Sequence, residues 1–152
     1  MRLMKKTLAC VGVLLLAAAI GVGAFAYARR EQPLENVFPA HAVELANVRW
    51  NQDPSRESLS LSPEQMASLW DAMDRVTYKR LGKKMALEDK TASVVCVIGN
   101  DLYEIVFSDF RGGRVMFRKI SDSPNGFTAF YGMYPSGQAV LELLDQFARG
   151  AF

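Results

Sequence analysis

The sequence predicts an α+β protein: a four- to five-stranded antiparallel β-meander sheet with two helices mainly on one face, in the order β-α-β4-α, preceded by a transmembrane helix. Three observations carry this. The chain opens on a long stretch without charge. One strong helix start stands at residues 61–66. From residue 92 the apolar period changes from helical to two, with Gly, Asn and Pro between the runs.

From Thr7 to Ala28 no side chain is charged. At about 1.5 Å per helical residue these positions extend roughly 33 Å, against a hydrocarbon core of about 30 Å. A cleaved leader usually has a shorter apolar segment, about 7–15 residues, so length favours an anchor. Ala24-Phe25-Ala26 and Ala26-Tyr27-Ala28 keep cleavage open, because both fit the small-x-small pattern of a signal peptidase, with release after Ala26 or Ala28. Arg2, Lys5 and Lys6 crowd the short N-terminal side and hold it in the cytoplasm. Residues 1–28 therefore read as a signal anchor in the cytoplasmic membrane, single-pass, with the C-terminal domain outside. The alternative is a protein secreted after leader cleavage. Cys10 does not make a lipoprotein signal, since Thr7 replaces the usual large aliphatic residue and no apolar stretch precedes it.

Residues 29–41 read as a linker, with mixed charges and with Pro33 and Pro39 interrupting any helix. The domain then occupies 42–152. AVELANVRW, 42–50, is its first strand, closed by a polar turn around Asp53-Pro54. Ser62 is the expected N-cap of the first helix, with Pro63 at the first helical position and Gln65 completing a capping box. Leu61 is placed to staple against Met66. Apolar residues at Met66, Leu69, Trp70, Met73, Val76 and Leu81 carry the helix on, with Arg80 in the last turn, Gly82 as C-cap, and Lys83 and Lys84 just beyond.

Four β-favouring runs follow: ASVVCVI, LYEIVFSDF, RVMFRKI and FTAFYGMY. Gly99-Asn100-Asp101, Arg111-Gly112-Gly113 and Ser123-Pro124-Asn125-Gly126 separate them, as turn chemistry requires in a meander. Ser136 is a candidate N-cap after Pro135. Val140, Leu143, Leu144 and Phe147 then mark the apolar face of a closing helix.

This order is similar to the β-α-β4-α arrangement of the TATA-box-binding-protein-like fold, over residues 42–150. With its N-terminal anchor, the chain also resembles the small membrane-anchored extracytoplasmic domains of uncharacterised function from Gram-positive bacteria. The resemblance implies a fold and an anchor. It implies no activity, because no functional motif is shared and fold alone does not carry function.

Charge excludes one class. Five of the 18 basic residues, Arg2, Lys5, Lys6, Arg29 and Arg30, precede Glu31, and all 16 acidic residues lie from Glu31 onward. Residues 31–152 thus carry 13 minus 16, or −3, so nucleic acid is not an expected partner.

Chemistry is sparse. Cys96 sits within VVCVI and reads as a small buried hydrophobe. His41 is the only histidine, at the linker–strand junction. Gly112-Gly113 lacks phosphate-loop spacing. Asp71 and Asp74 read as a solvated helix face. No catalytic residue, cofactor or metal site is expected. The remaining enzymatic alternative is a small hydrolase or transferase using Asp101, Glu104 or Asp109, joined by His41.

The second face of the sheet stands out. Alternation places Leu102, Glu104, Val106, Met116, Arg118, Ile120, Phe130 and Tyr134 together on it, with Glu104 and Arg118 placed to pair. Two helices cover one side of a sheet, and an apolar second side invites a partner. The expected function is a non-catalytic, membrane-tethered interaction module that binds a protein, peptide or cell-envelope ligand through this face. A structural homodimer through the same face is an alternative. So is intramolecular cover by Leu34, Val37, Phe38 or Leu59.

Overall fold

The computed structural model describes residues 2–51, 55–82, 91–121 and 128–151, with side chains from residue 11 onward except that of Ala28. The chain divides into two units, Met1–Arg30 and Glu31–Phe152.

The first unit is a single helix, α1, Arg2–Ala28. Its described side chains, 11–27, are exposed throughout. Among the described residues no helix is long and apolar enough to cross a membrane. The side chains of Arg2, Lys5, Lys6 and Cys10 lie outside the described residues. At the other end the Arg29 guanidinium lies over the Phe25 ring, 4.2 Å from its centroid. Arg30 stacks 3.9 Å over the Tyr27 ring and donates to the Tyr27 hydroxyl at 2.8 Å.

The second unit is α+β, with an antiparallel sheet of eight strands, where the sequence indicated four or five. They are β1 Glu31–Gln32, β2 Leu45–Trp50, β3 Leu59–Ser60, β4 Thr77–Arg80, β5 Ala92–Ile98, β6 Asp101–Ser108, β7 Arg114–Lys119 and β8 Thr128–Tyr134. Their order across the sheet is β1-β4-β8-β7-β6-β5-β2-β3. The meander β5 to β8 forms its centre. The turns expected at Asp53-Pro54 and Ser123–Gly126 lie outside the described residues, as do Lys83, Lys84 and Phe127.

The extra strands are short pieces that no period-two pattern reveals. From Glu31 onward the stretch expected as a linker joins the second unit. Glu31 and Gln32 pair with Lys79 and Tyr78. Pro33 and Pro39 each precede a 3-10 turn, Leu34–Asn36 and Ala40–Ala42. These turns drive Leu34, Phe38 and Ala40 into the core. The Phe38 ring stacks on Phe117 at 5.1 Å and meets Trp70 and Tyr103. The first strand accordingly starts at Leu45, not at residue 42.

The first domain helix, α2 Pro63–Asp74, begins as its sequence dictates. The Ser62 side chain accepts from the Gln65 amide at 3.2 Å, and the Ser62 amide donates to Gln65 Oε1 at 2.9 Å. It ends seven residues before the expected Leu81, with Arg75 as C-cap in place of Gly82. Thr77–Arg80 turns back as strand β4, between β1 and β8. Tyr78 is fully buried there, and its hydroxyl donates to the Met73 carbonyl at 2.8 Å. That bond satisfies an acceptor that the helix end leaves open. The last helix, α3 Gln138–Ala148, has Gly137 at its N-cap position, while Ser136 Oγ accepts from the Gln138 amide at 3.1 Å.

Both domain helices lie on one face. Leu69, Trp70 and Met73 of α2 and Val140, Leu144 and Phe147 of α3 share one core with Val48, Tyr78, Val94, Cys96, Ile105, Phe107, Val115, Phe117 and Tyr131. The 34–43 segment covers the same face. Val37 and Leu59 pack against this core as well. None of the four residues offered as cover for the second face therefore lies across it.

The β6–β7 connection touches the start of α3. The Gly137 amide donates to the Gly112 carbonyl at 2.8 Å. Gly113 has φ +107°, and a Cβ on it would lie 2.9 Å from Gly137 Cα.

Candidate functional site

Register arranges the sheet face opposite the helices in rows. Leu45, Val97, Leu102 and Ile120 form the first, running across β2, β5, β6 and the end of β7. The Ile120 amide donates to the Leu102 carbonyl at 2.7 Å, which extends the ladder one residue past β7. Asn47, Val95, Glu104, Arg118 and Thr128 make the second row, and Arg49, Ser93, Val106, Met116 and Phe130 the third. The fourth holds Ser108, Arg114, Gly132 and Lys79. Tyr134, paired with Thr77, stands beyond it.

All eight residues singled out from the sequence stand on this face. They are not equally accessible. Val106 is fully buried and Met116 nearly so, whereas Leu102, Ile120 and Tyr134 are exposed and Phe130 is half-buried. Arg118 and Glu104 form an ion pair across β6 and β7. Sequence reasoning missed Leu45, which joins Leu102 and Ile120 as an exposed large apolar side chain in the first row. Its signal was present in the alternation of LANVRW, where Leu45, Asn47 and Arg49 fall opposite Ala46 and Val48.

The fourth row is cationic. Arg114 and Lys79 flank Gly132, which has no side chain to fill the gap. The Tyr134 ring lies over that glycine, its hydroxyl 3.5 Å from where a Cβ would stand. Beside it opens a cavity of about 280 Å³ lined by Leu81, Arg111, Gly113, Arg114, Gly132, Met133, Tyr134 and Pro135. Among the described residues no acidic side chain lines it. The Arg111 and Arg114 guanidinium groups lie 5.2 and 4.7 Å from the centroid of the exposed Phe110 ring.

The residues considered for catalysis are dispersed. His41 Nε2 lies 3.5 Å from Asp74 Oδ2, an exposed pair. Of the two cavities that His41 lines, one holds Asp71 and Asp74 and the other Glu35 and Asp74; among the described residues neither holds Asp101, Glu104 or Asp109, or any Ser, Thr or Cys. Thirty-three residues separate His41 from Asp74, so no local pattern signals their meeting. Asp101 is bound by Lys119 Nζ at 3.1 Å and by the Ser121 hydroxyl at 3.1 Å, which hold its carboxyl below the ordinary range. Cys96 is fully buried, and burial pushes its thiol up to about 12. Among the described residues no group of three His, Cys, Asp or Glu side chains is placed to hold a metal.

Compared with known protein families, curated proteins and solved structures, the chain matches none.

Proposed function

We propose that the chain is a non-catalytic interaction module, tethered by residues 7–28 in the cytoplasmic membrane with its domain outside, which docks a protein or peptide through the sheet face opposite the helices. The observation that carries this reading is the exposed row of Leu45, Leu102 and Ile120, at 44, 42 and 38 % of full exposure.

Magnitudes favour a transient contact. Full burial of such a side chain gives about 1.5–3 kcal/mol, so the exposed fractions leave roughly 2–4 kcal/mol for the three together. A millimolar complex needs about 4 kcal/mol, and stable interfaces bury about 800 Å² per partner. The row alone suits a weak partner already concentrated at a membrane better than an obligate homodimer. The uncharged Thr7–Ala28 stretch supports the tether.

The test is a photo-crosslinking residue at Leu102 in the full-length chain, in intact cells. A protein or peptide adduct that disappears with Leu45→Ser and Ile120→Ser supports the reading. An adduct only to a second copy supports the homodimer instead. No adduct, with the domain folded, overturns docking at this row. Accessibility of residues 31–152 to external protease tests the tether separately, and full protection in intact cells overturns it.

A further inference from the structure

The cationic end of the same face has a different chemistry from the apolar row, and the argument for it does not depend on that row. Residues 31–152 are net acidic, yet among the described residues the cavity beside β7 and β8 is lined by two arginines and no acid. Among the described residues neither Arg111 nor Arg114 has an acidic partner. The nearby acids are otherwise placed. Glu31, opposite Lys79 in register, accepts from the Thr77 hydroxyl at 2.7 Å. Asp109 is exposed and outside the cavity lining.

Both guanidiniums are held in place without being neutralised. Each lies over the Phe110 ring, a cation–π contact that restrains position and leaves the N–H donors free. Arg111 is held in a left-handed conformation, φ 50° and ψ 48°, the sole such non-glycine residue among those described. Such strain persists where the surroundings require one side-chain direction, and it recurs at ligand clamps. Gly132, between Arg114 and Lys79 in register, leaves room for the Tyr134 ring above it and so brings the Tyr134 hydroxyl to the slot.

We propose that this slot binds a phosphate group, with Arg111 and Arg114 as its principal donors and the Tyr134 hydroxyl completing the set. Two forked donors lining one cavity match a tetrahedral anion with several acceptor oxygens. A carboxylate offers two oxygens and is met by a single arginine. At about 280 Å³ the cavity lies just below the usual small-molecule range of about 300–1,000 Å³. It accommodates a phosphate with a small attached group rather than a large cofactor. A phospholipid headgroup and free phosphate share this chemistry.

The experiment follows the backbone amide resonances of Gly113 and Gly132 in the full-length chain, in maltoside micelles that contain no phosphate. One arm adds inorganic phosphate against chloride at equal ionic strength. The other dopes the micelles with phosphatidylglycerol. Saturable shifts are expected, with affinity at least tenfold weaker in Arg114→Gln and in Arg111→Gly and unchanged in Leu102→Ser. Arg111→Gly suits the backbone conformation, so lost binding there does not reflect lost folding. Saturation by free phosphate identifies a soluble-phosphate site, and saturation only by the doped micelles identifies a headgroup site. No saturable shift in either arm, or binding unaltered in both arginine variants, overturns the proposal. Neither result touches the Leu102 crosslink.

Discussion

Glu104 and Arg118 form an ion pair on an open sheet face, but they do not share it equally: the Glu104 side chain is 16 % exposed and that of Arg118 40 %. The carboxylate depends on its partner more than the guanidinium does, because the arginine can extend its head into water on a flexible stem. Arg118→Ala is expected to cost about 2 kcal/mol by leaving a mostly buried acceptor unpaired, and Glu104→Ala about 1 kcal/mol. Urea unfolding of both single variants and the double variant checks this. The double is expected to cost less than the sum of the singles.

The turn between β6 and β7 sets two opposite expectations. Gly113→Ala meets a positive φ and the Gly137 backbone together, so it is expected to destabilise by at least about 2 kcal/mol. Arg111→Gly relieves a left-handed non-glycine residue and is expected to stabilise by roughly 0.5–1 kcal/mol. Thermal unfolding of the two variants distinguishes them, with shifts in opposite directions.

Alkaline pH is expected to destabilise the domain. Burial raises the Cys96 thiol from 9.0 to about 12 and holds the Tyr78 phenol well above its ordinary value, with the nearby Asp74 charge adding to the effect on Tyr78. A group whose folded pKa is raised contributes its stability fully below the unfolded pKa and loses it as pH climbs toward the folded pKa. Stability should therefore fall from about pH 9 as the unfolded thiol ionises, and more steeply from about pH 10 as the tyrosine joins. Cys96→Ala is expected to remove the first part of the slope, and Tyr78→Phe to reduce the second. Denaturant midpoints measured from pH 7 to 11 check both.

Ser62→Ala removes the oxygen that accepts from the Gln65 amide. A loss of about 1 kcal/mol is expected, read as a lower denaturant midpoint with an unchanged slope.

The central meander and the start of α2 were legible in sequence because their signals are local: alternation over six to eight residues, and a cap within four. The same alternation placed Leu102, Glu104, Val106, Met116, Arg118, Ile120, Phe130 and Tyr134 on one face. It said nothing of depth, which Val106 and Leu102 show by being buried and exposed on the same strand. Thr77–Arg80 was misread because Val76 and Leu81 continue the helical period of α2 by coincidence. Only the fit of Tyr78 beneath the helix end, a tertiary effect, decides for the strand. Glu31–Ala42 was misread for the same reason. Its prolines do break helices, but the broken pieces cover a core that the local pattern does not display. The proposed phosphate slot draws Leu81, Arg111 and Tyr134 from three separate stretches, and no spacing rule joins them.

Both margins of the sheet end in strands of two residues, β1 and β3. A foreign extended segment aligned there meets a template only two residues long, too little to repay the entropy of ordering it. The molecule can thus keep greasy side chains in water and be crowded among its own copies without zipping into fibrils. Margins this short favour broadside approach through side chains over strand-to-strand pairing.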